Sequence, residues 1–204
     1  MIIKVCGMRK GENIREVEGL GVDFMGFIFY PKSPRYVDVL PDYLPQNAKR
    51  VGVFVDENLD TILSIAKQFR LEYIQLHGNE SPVLVKQLNG AGYKLIKAFS
   101  IAVKEDLNQV EAYKNQCSYF IFDTKSELIG GSGQCFDWNI LQQYKGDTPF
   151  LLSGGISLEN LHELKQFQHN QLVGYDLNSC FELSPAVKDC HKLSQFLNEL
   201  KQNV

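Results

Sequence analysis

Eight short runs of consecutive apolar residues, spread over 204 residues, constrain this chain more than any other feature. They cover Ile2–Cys6, Phe24–Phe29, Arg50–Val55, Tyr73–His77, Lys94–Phe99, Tyr119–Asp123, Phe150–Ser153 and Leu172–Leu177. A strand wetted on one face alternates apolar and polar side chains, whereas a strand covered on both faces has no need to. The runs therefore read as parallel strands buried on both sides. Helical periodicity fills the gaps. Leu59, Ile62, Leu63, Ala66 and Phe69 make one apolar stripe, and Leu193, Phe196, Leu197 and Leu200 make another. Ser81-Pro82 reads as an N-cap with proline at the first helical position, ahead of Val83, Leu84 and Leu88. Between Tyr36 and Asn47 the helical signal is poorest, because Pro41 and Pro45 interrupt it.

Eight strands alternating with helices in about 200 residues suit a minimal (β/α)₈ barrel or an open doubly wound sheet, and periodicity does not choose between them. With no linker and no low-complexity segment, residues 1–204 read as one domain. In either architecture the chemistry gathers at the C-terminal ends of the strands. The polar residues there are Cys6, Arg35, His77, Asp123, Ser153-Gly154-Gly155, and Asp176 with Asn178-Ser179.

Charge and composition narrow the partners. The formal net charge is −3, from 21 basic and 24 acidic residues, without the clustered Lys and Arg that nucleic acid demands. No apolar run approaches the roughly 20 residues that span a bilayer. The stretch Met1–Gly7 lacks the apolar core and cleavage site of a signal peptide. Five scattered cysteines with no C-x-x-C pair argue against a disulfide framework or structural zinc. A cytoplasmic protein is expected, acting on a small molecule, with no nucleic-acid or membrane partner, as a monomer or weak homodimer. No metal or organic cofactor is expected.

Each strand-end group carries two readings. Cys6 can act as a nucleophile or proton-abstracting base if its pKa is lowered, or simply pack as a small hydrophobe. Asp123 ends an apolar strand, where lost hydration raises a carboxyl pKa and suits it to donate a proton. It can equally just accept hydrogen bonds from the next loop. Gly154-Gly155, followed by a helix signal at Ser157, has the form of a phosphate cradle, and Asn178-Ser179 lies after the eighth strand where barrels often complete such a site. Arg35, in a loop stiffened by Pro31 and Pro34, can fork onto a carboxylate or point into solvent. His77 can serve as acid, base or ligand, or as a structural hydrogen-bonding group. The loop Thr124–Asp137, with Gly130-Gly131-Ser132-Gly133, is long enough for a lid.

In order, Lys4-Val5-Cys6-Gly7, Gly26–Tyr36, Val51–Val55, Gln75-Leu76-His77-Gly78, Asp123-Thr124-Lys125, Gly130–Gly133, Phe136-Asp137-Trp138, Leu152–Ile156 and Glu159-Asn160 resemble the phosphoribosylanthranilate isomerase family over nearly the whole chain. The resemblance implies the barrel over the open sheet. It also implies an Amadori rearrangement of a phosphoribosyl anthranilate in tryptophan biosynthesis, with Asp123 as acid and Cys6 as base. By the same resemblance Arg35 would hold the anthranilate carboxylate, and Gly154, Gly155, Asn178 and Ser179 the phosphate, with His77 and Asp176 in support. No cofactor is implied. Other phosphate-binding barrels fit less well. A sugar-phosphate epimerase would need metal ligands on several strands, and the histidine-pathway isomerase would place Asp at the end of the first strand. A silent metabolite-binding barrel would be expected to lack the acid/base pair. One departure stands out. The family usually reads Asp-Val-Ser-Ser-Gly-Val-Glu where this chain has Asp176-Leu177-Asn178-Ser179-Cys180-Phe181-Glu182. A short helical turn near Ser179 is expected, with the Cys180 side chain directed away from the anion.

Overall fold

In the computed structural model, which describes residues 1–124 and 138–202, the eight runs form one closed parallel barrel. Its strands are β1 (Ile2–Cys6), β2 (Phe24–Ile28), β3 (Lys49–Phe54), β4 (Tyr73–Leu76), β5 (Lys94–Ile101), β6 (Tyr119–Thr124), β7 (Phe150–Ser153) and β8 (Leu172–Leu177). Strand β8 pairs with β1 in the register Lys4↔Asp176, and this contact closes the ring and excludes the open sheet.

Consecutive apolar residues are required because the two faces of each strand enter two separate apolar regions. Phe24, Val51, Tyr73, Ile96, Ala98, Ile121 and Leu151 pack on one another inside the barrel. Their strand neighbours Met25, Phe54, Ile74, Leu95, Phe120, Phe122, Phe150 and Leu152 belong to the larger cluster shared with the surrounding helices. Side chains alternate across a strand, so both layers are drawn from the same runs.

The helices are α1 (Gly11–Glu18), α2 (Leu59–Gln68), α3 (Pro82–Gly90), α4 (Leu161–Gln166) and α5 (Cys190–Lys201). Ser81 caps α3 as expected, its hydroxyl accepting from the Leu84 N–H, and Pro82 opens the helix. Two gaps hold 3₁₀ helices instead, Lys104–Tyr113 and Trp138–Gln143. The stretch from Tyr36 to Asn47 forms no helix. It is pinned by Glu18, whose carboxylate accepts from Gln46 N, Asn47 N and Ala48 N and from the Tyr43 hydroxyl. Two prolines remove the donors and dihedrals a helix needs, and one carboxylate satisfies the loop's amides in its place. After β8 come a 3₁₀ turn (Ser179–Phe181) and a small antiparallel hairpin, β9 (Glu182–Ser184) with β10 (Val187–Lys188).

Residues 125–137 of the expected Thr124–Asp137 lid, including its glycine cluster, lie outside the described residues. Among the described residues no helix is long and apolar enough to cross a membrane.

Candidate active site

A cavity of about 420 Å³ opens at the C-terminal ends of the strands. Cys6, Gln75, His77, Asp123, Gly154, Gly155, Asp176, Asn178, Ser179 and Cys180 are among the residues lining it. Eight of the nine residues expected to build a site therefore meet in one place; Arg35 does not line the cavity.

The inward face of β1 carries Lys4 and then Cys6. Lys4 is fully buried, and its Nζ donates to Asp176 Oδ1 at 2.9 Å across the closing strand pair. Burial works against the ammonium, but Asp176 and Cys6 outweigh it and leave the Lys4 pKa raised. The same burial pushes the Cys6 thiol up, opposed by Lys4 and Lys188 and reinforced by Asp176. Activation of Cys6 was expected to require a lowered pKa; in this structure the balance runs the other way, because desolvation of the thiolate exceeds what two ammonium groups return. Burial also raises the Asp176 carboxyl, with Lys4 as the principal counterweight.

Gly26 faces this group from β2. A Cβ built on it would lie 2.7 Å from Cys6 Sγ and 3.2 Å from Lys4 Nζ. Glycine is required there by close approach, so that thiol and ammonium fit side by side.

Asp123 is the last residue but one of β6 and keeps a quarter of its side chain exposed, so the dehydration expected at the end of an apolar strand is only partial. His77 Nε2 lies 3.4 Å from Asp123 Oδ2, and His77 Nδ1 lies 3.3 Å from Gln75 Nε2. Gln75 itself is buried, and among the described residues its Oε1 has no hydrogen-bond partner. An orphaned buried acceptor costs roughly 1–3 kcal/mol, a cost that native structures concentrate at working sites.

Gly154 and Gly155 take φ of 92° and 63°, conformations that side chains rarely adopt. The helix expected from Ser157 starts only at Leu161. In its place the Ser157 N–H donates to Asn160 Oδ1, while Asn160 Nδ2 donates to the Gly155 carbonyl. The asparagine turn takes up the amide that would have opened a helix. The turn near Ser179 is present, as a 3₁₀ helix whose Cys180 avoids positive φ. Cys180 is among the residues lining the cavity.

Arg35 forms a side-on fork to Glu182, with Nε 2.9 and 3.0 Å from the two carboxylate oxygens and Nη2 2.6 Å from Oε2. Lys188, fully buried on β10, donates to Glu182 Oε1 and to Asn178 Oδ1, each at 2.7 Å. The fork that the sequence suggested for a ligand carboxylate is thus engaged by a carboxylate of the chain itself, and the Asn178 side-chain oxygen is committed to Lys188. Sequence reasoning overlooked Lys4, Gln75, Glu182 and Lys188. A lysine and a glutamine at inward positions of otherwise apolar strands were the available signals for the first two.

A family model described as N-(5'-phosphoribosyl)anthranilate (PRA) isomerase matches residues 3–199. The chain belongs to this family. It is 53% identical to the N-(5'-phosphoribosyl)anthranilate isomerase of Phocaeicola vulgatus, over the whole of both chains. The crystal structure of phosphoribosyl anthranilate isomerase from Thermotoga maritima superposes with a TM-score of 0.82 at 30% identity, covering 98% of this chain and 99% of that one. A further phosphoribosyl anthranilate isomerase, in complex with reduced 1-(o-carboxyphenylamino)-1-deoxyribulose 5-phosphate, gives 0.81 at 28% identity over 98% and 99%. The protein is therefore an isomerase of tryptophan biosynthesis on a (β/α)₈ barrel, and the epimerase, histidine-pathway and silent-barrel readings fall away. Among the described residues no group of three or more His, Cys, Asp or Glu is arranged to hold a metal ion.

Proposed function

We propose that Cys6 and Asp123 carry out the two proton transfers of the Amadori rearrangement on N-(5'-phosphoribosyl)anthranilate. The observation that carries this reading is that the thiol and the carboxyl, on β1 and β6, line one cavity together with the two positive-φ glycines and the Ser179 turn. The Asp123 carboxyl gives its proton to the ribose ring oxygen, the C1–O bond breaks, and the nitrogen lone pair closes an iminium. The Cys6 thiolate then takes the C2 proton, and the C–H electrons form the C1–C2 double bond of an enolamine. Tautomerisation gives the 1-amino-2-ketose phosphate. Burial makes the thiolate scarce and correspondingly strong as a base, while Lys4 and Lys188 keep it reachable.

Backbone N–H groups around Gly154, Gly155, Asn178 and Ser179 hold the phosphate, and this anchoring places the reacting carbons between acid and base. Arg35 meets the anthranilate carboxylate with Nη1, the nitrogen not used in its fork to Glu182. Support comes from the related enzyme whose bound ligand carries both a carboxyphenylamino group and a 5-phosphate. His77 and Asp176 support the acid and the base respectively. The protein works in the cytoplasm, consistent with the lack of a membrane-crossing helix among the described residues. It is a monomer or weak homodimer; the Thermotoga maritima relative is described as a dimeric enzyme from which monomers were generated.

Adding phosphoribosylanthranilate to the purified protein and following loss of its fluorescence tests the reading. Cys6→Ser and Asp123→Asn should be folded and nearly inactive; full turnover in either removes that residue from its role.

A further inference from the structure

Gln75 on β4 and His77, the residue just beyond its end, meet the acid side of the cavity, and only His77 has been given a part in the reaction. The two stand two positions apart along the chain, and both line the cavity. From Asp123 the contacts run Oδ2 to His77 Nε2 at 3.4 Å, then His77 Nδ1 to Gln75 Nε2 at 3.3 Å. An ionised carboxylate only accepts, so the imidazole arrangement that complements it at this distance has its proton on Nε2. A neutral imidazole with its proton on Nε2 has Nδ1 as an acceptor, and the amide N–H of Gln75 is the donor placed to meet it.

The opposite placement of the amide would bring Oε1 to Nδ1 and leave two N–H donors in the buried position where Oε1 now lacks a partner. Unpaired buried N–H groups are the rarer defect. The observed orientation is therefore the one the imidazole requires when Asp123 is ionised. Gln75 is 1% exposed and cannot exchange this contact for bulk water.

We propose that Gln75 is a positioning residue of this isomerase, its amide fixing the tautomer of His77 so that Nε2–H orients the carboxyl of Asp123 at the cavity. The proton that goes to the ring oxygen comes from the Asp123 carboxyl, while the Nε2–H of His77 stays on the imidazole throughout, so the Gln75 amide holds one and the same tautomer before and after the transfer. The proposal rests on the reading of Asp123 as the acid, and its test separates the two.

Long-range ¹H–¹⁵N spectra of the histidine side chains, recorded at mildly alkaline pH where imidazoles are neutral, report which ring nitrogen carries the proton. In the wild-type protein His77 should carry it on Nε2. Gln75→Glu, nearly isosteric but able only to accept, should move the proton to Nδ1, and Gln75→Leu should leave a mixture. In both variants kcat should fall about tenfold or more, with KM for phosphoribosylanthranilate changed less than about threefold, since an ill-aimed group costs turnover before binding. Thermal melts establish that each variant is folded, and two variants guard against one failing to fold. A wild-type His77 protonated on Nδ1, or one tautomer throughout all three proteins, overturns the proposal. So does a tautomer that moves while kcat stays unchanged. Asp123→Asn tests the acid separately: full activity there sinks the acid assignment whatever the spectra show.

Discussion

Lys4 Nζ sits 2.9 Å from Asp176 Oδ1 inside the closed barrel, on the inward face of β1 that also carries Cys6 two residues later. A charge pair taken out of water holds together only while both members remain. Lys4→Met should leave Asp176 buried and uncompensated and cost about 3–5 kcal/mol of stability in urea titration. It should also remove a cation that favours the Cys6 thiolate, moving the titration of the base in the kcat/KM profile to higher pH. An unmoved profile would separate Lys4 from the thiol.

Cys6→Ser and Asp123→Asn should each lower kcat by about 10²- to 10⁴-fold, the usual contribution of one proton-transfer group. Circular dichroism and thermal melts should remain close to wild type. If Asp123→Asn instead raised KM at constant kcat, the residue would be a binding group.

Gly26→Ala should be more harmful than its single methyl group suggests. The new Cβ would press on Cys6 Sγ from 2.7 Å, in a site walled by buried side chains. Overpacking of this kind costs typically 1–3 kcal/mol, and displacement of the thiol should lower kcat further. An active, fully stable variant would show that the thiol has more room than the structure gives it.

Arg35→Ala should lower kcat/KM by about tenfold to a hundredfold, the loss of one charge-assisted pair worth roughly 1.5–3 kcal/mol. Arg35→Lys should rescue little, because a point charge cannot fork onto Glu182 and a second carboxylate together. Steady-state kinetics with unchanged parameters in both variants would confine Arg35 to its contact with Glu182.

Glu182 supplies a pH test. Burial pushes its carboxyl up, but Arg35 and Lys188 prevail and hold it below its ordinary value of 4.5. A lowered folded-state pKa gives stability that is present above the unfolded value and lost as pH falls through the folded one. Glu182→Gln should therefore be less stable than wild type at neutral pH, by about 3–5 kcal/mol, because two cations lose their counter-ion. The gap should narrow progressively once the pH drops below 4.5. Chemical denaturation across this window checks the sign; a gap independent of pH would mean that Glu182 is not ionised in the fold.

The strand ends show how much was legible beforehand. β1, β7 and β8 begin and end at the residues expected, β2, β4, β5 and β6 differ by one or two residues at the C-terminal end, and β3 is displaced by one residue at both ends. Fully buried strands announce themselves by unbroken apolar runs, and Cys6, His77, Asp123 and Asp176 then fall at or beside the rim by position alone. The glycine pair was equally legible, since a positive φ leaves a glycine in the sequence. The helix at Ser157 was misplaced because Asn160 satisfies the local amides by a route that side-chain periodicity does not record.

By itself, the sequence determined that eight strands are buried on both faces, near which residues they end, and that a thiol and a carboxyl stand close to two of those ends. These are local matters of period and propensity, carried by each segment alone. Only the tertiary structure decided that β8 returns to β1, which seats Asp176 against Lys4 at a sequence separation of 172 residues. Only it decided that Glu182, and not solvent, meets Arg35, and that the Gln75 amide reaches His77 with one acceptor left unpaired. Ion pairing, desolvation and tautomer choice depend on distance and dielectric, and both arise only when the barrel closes.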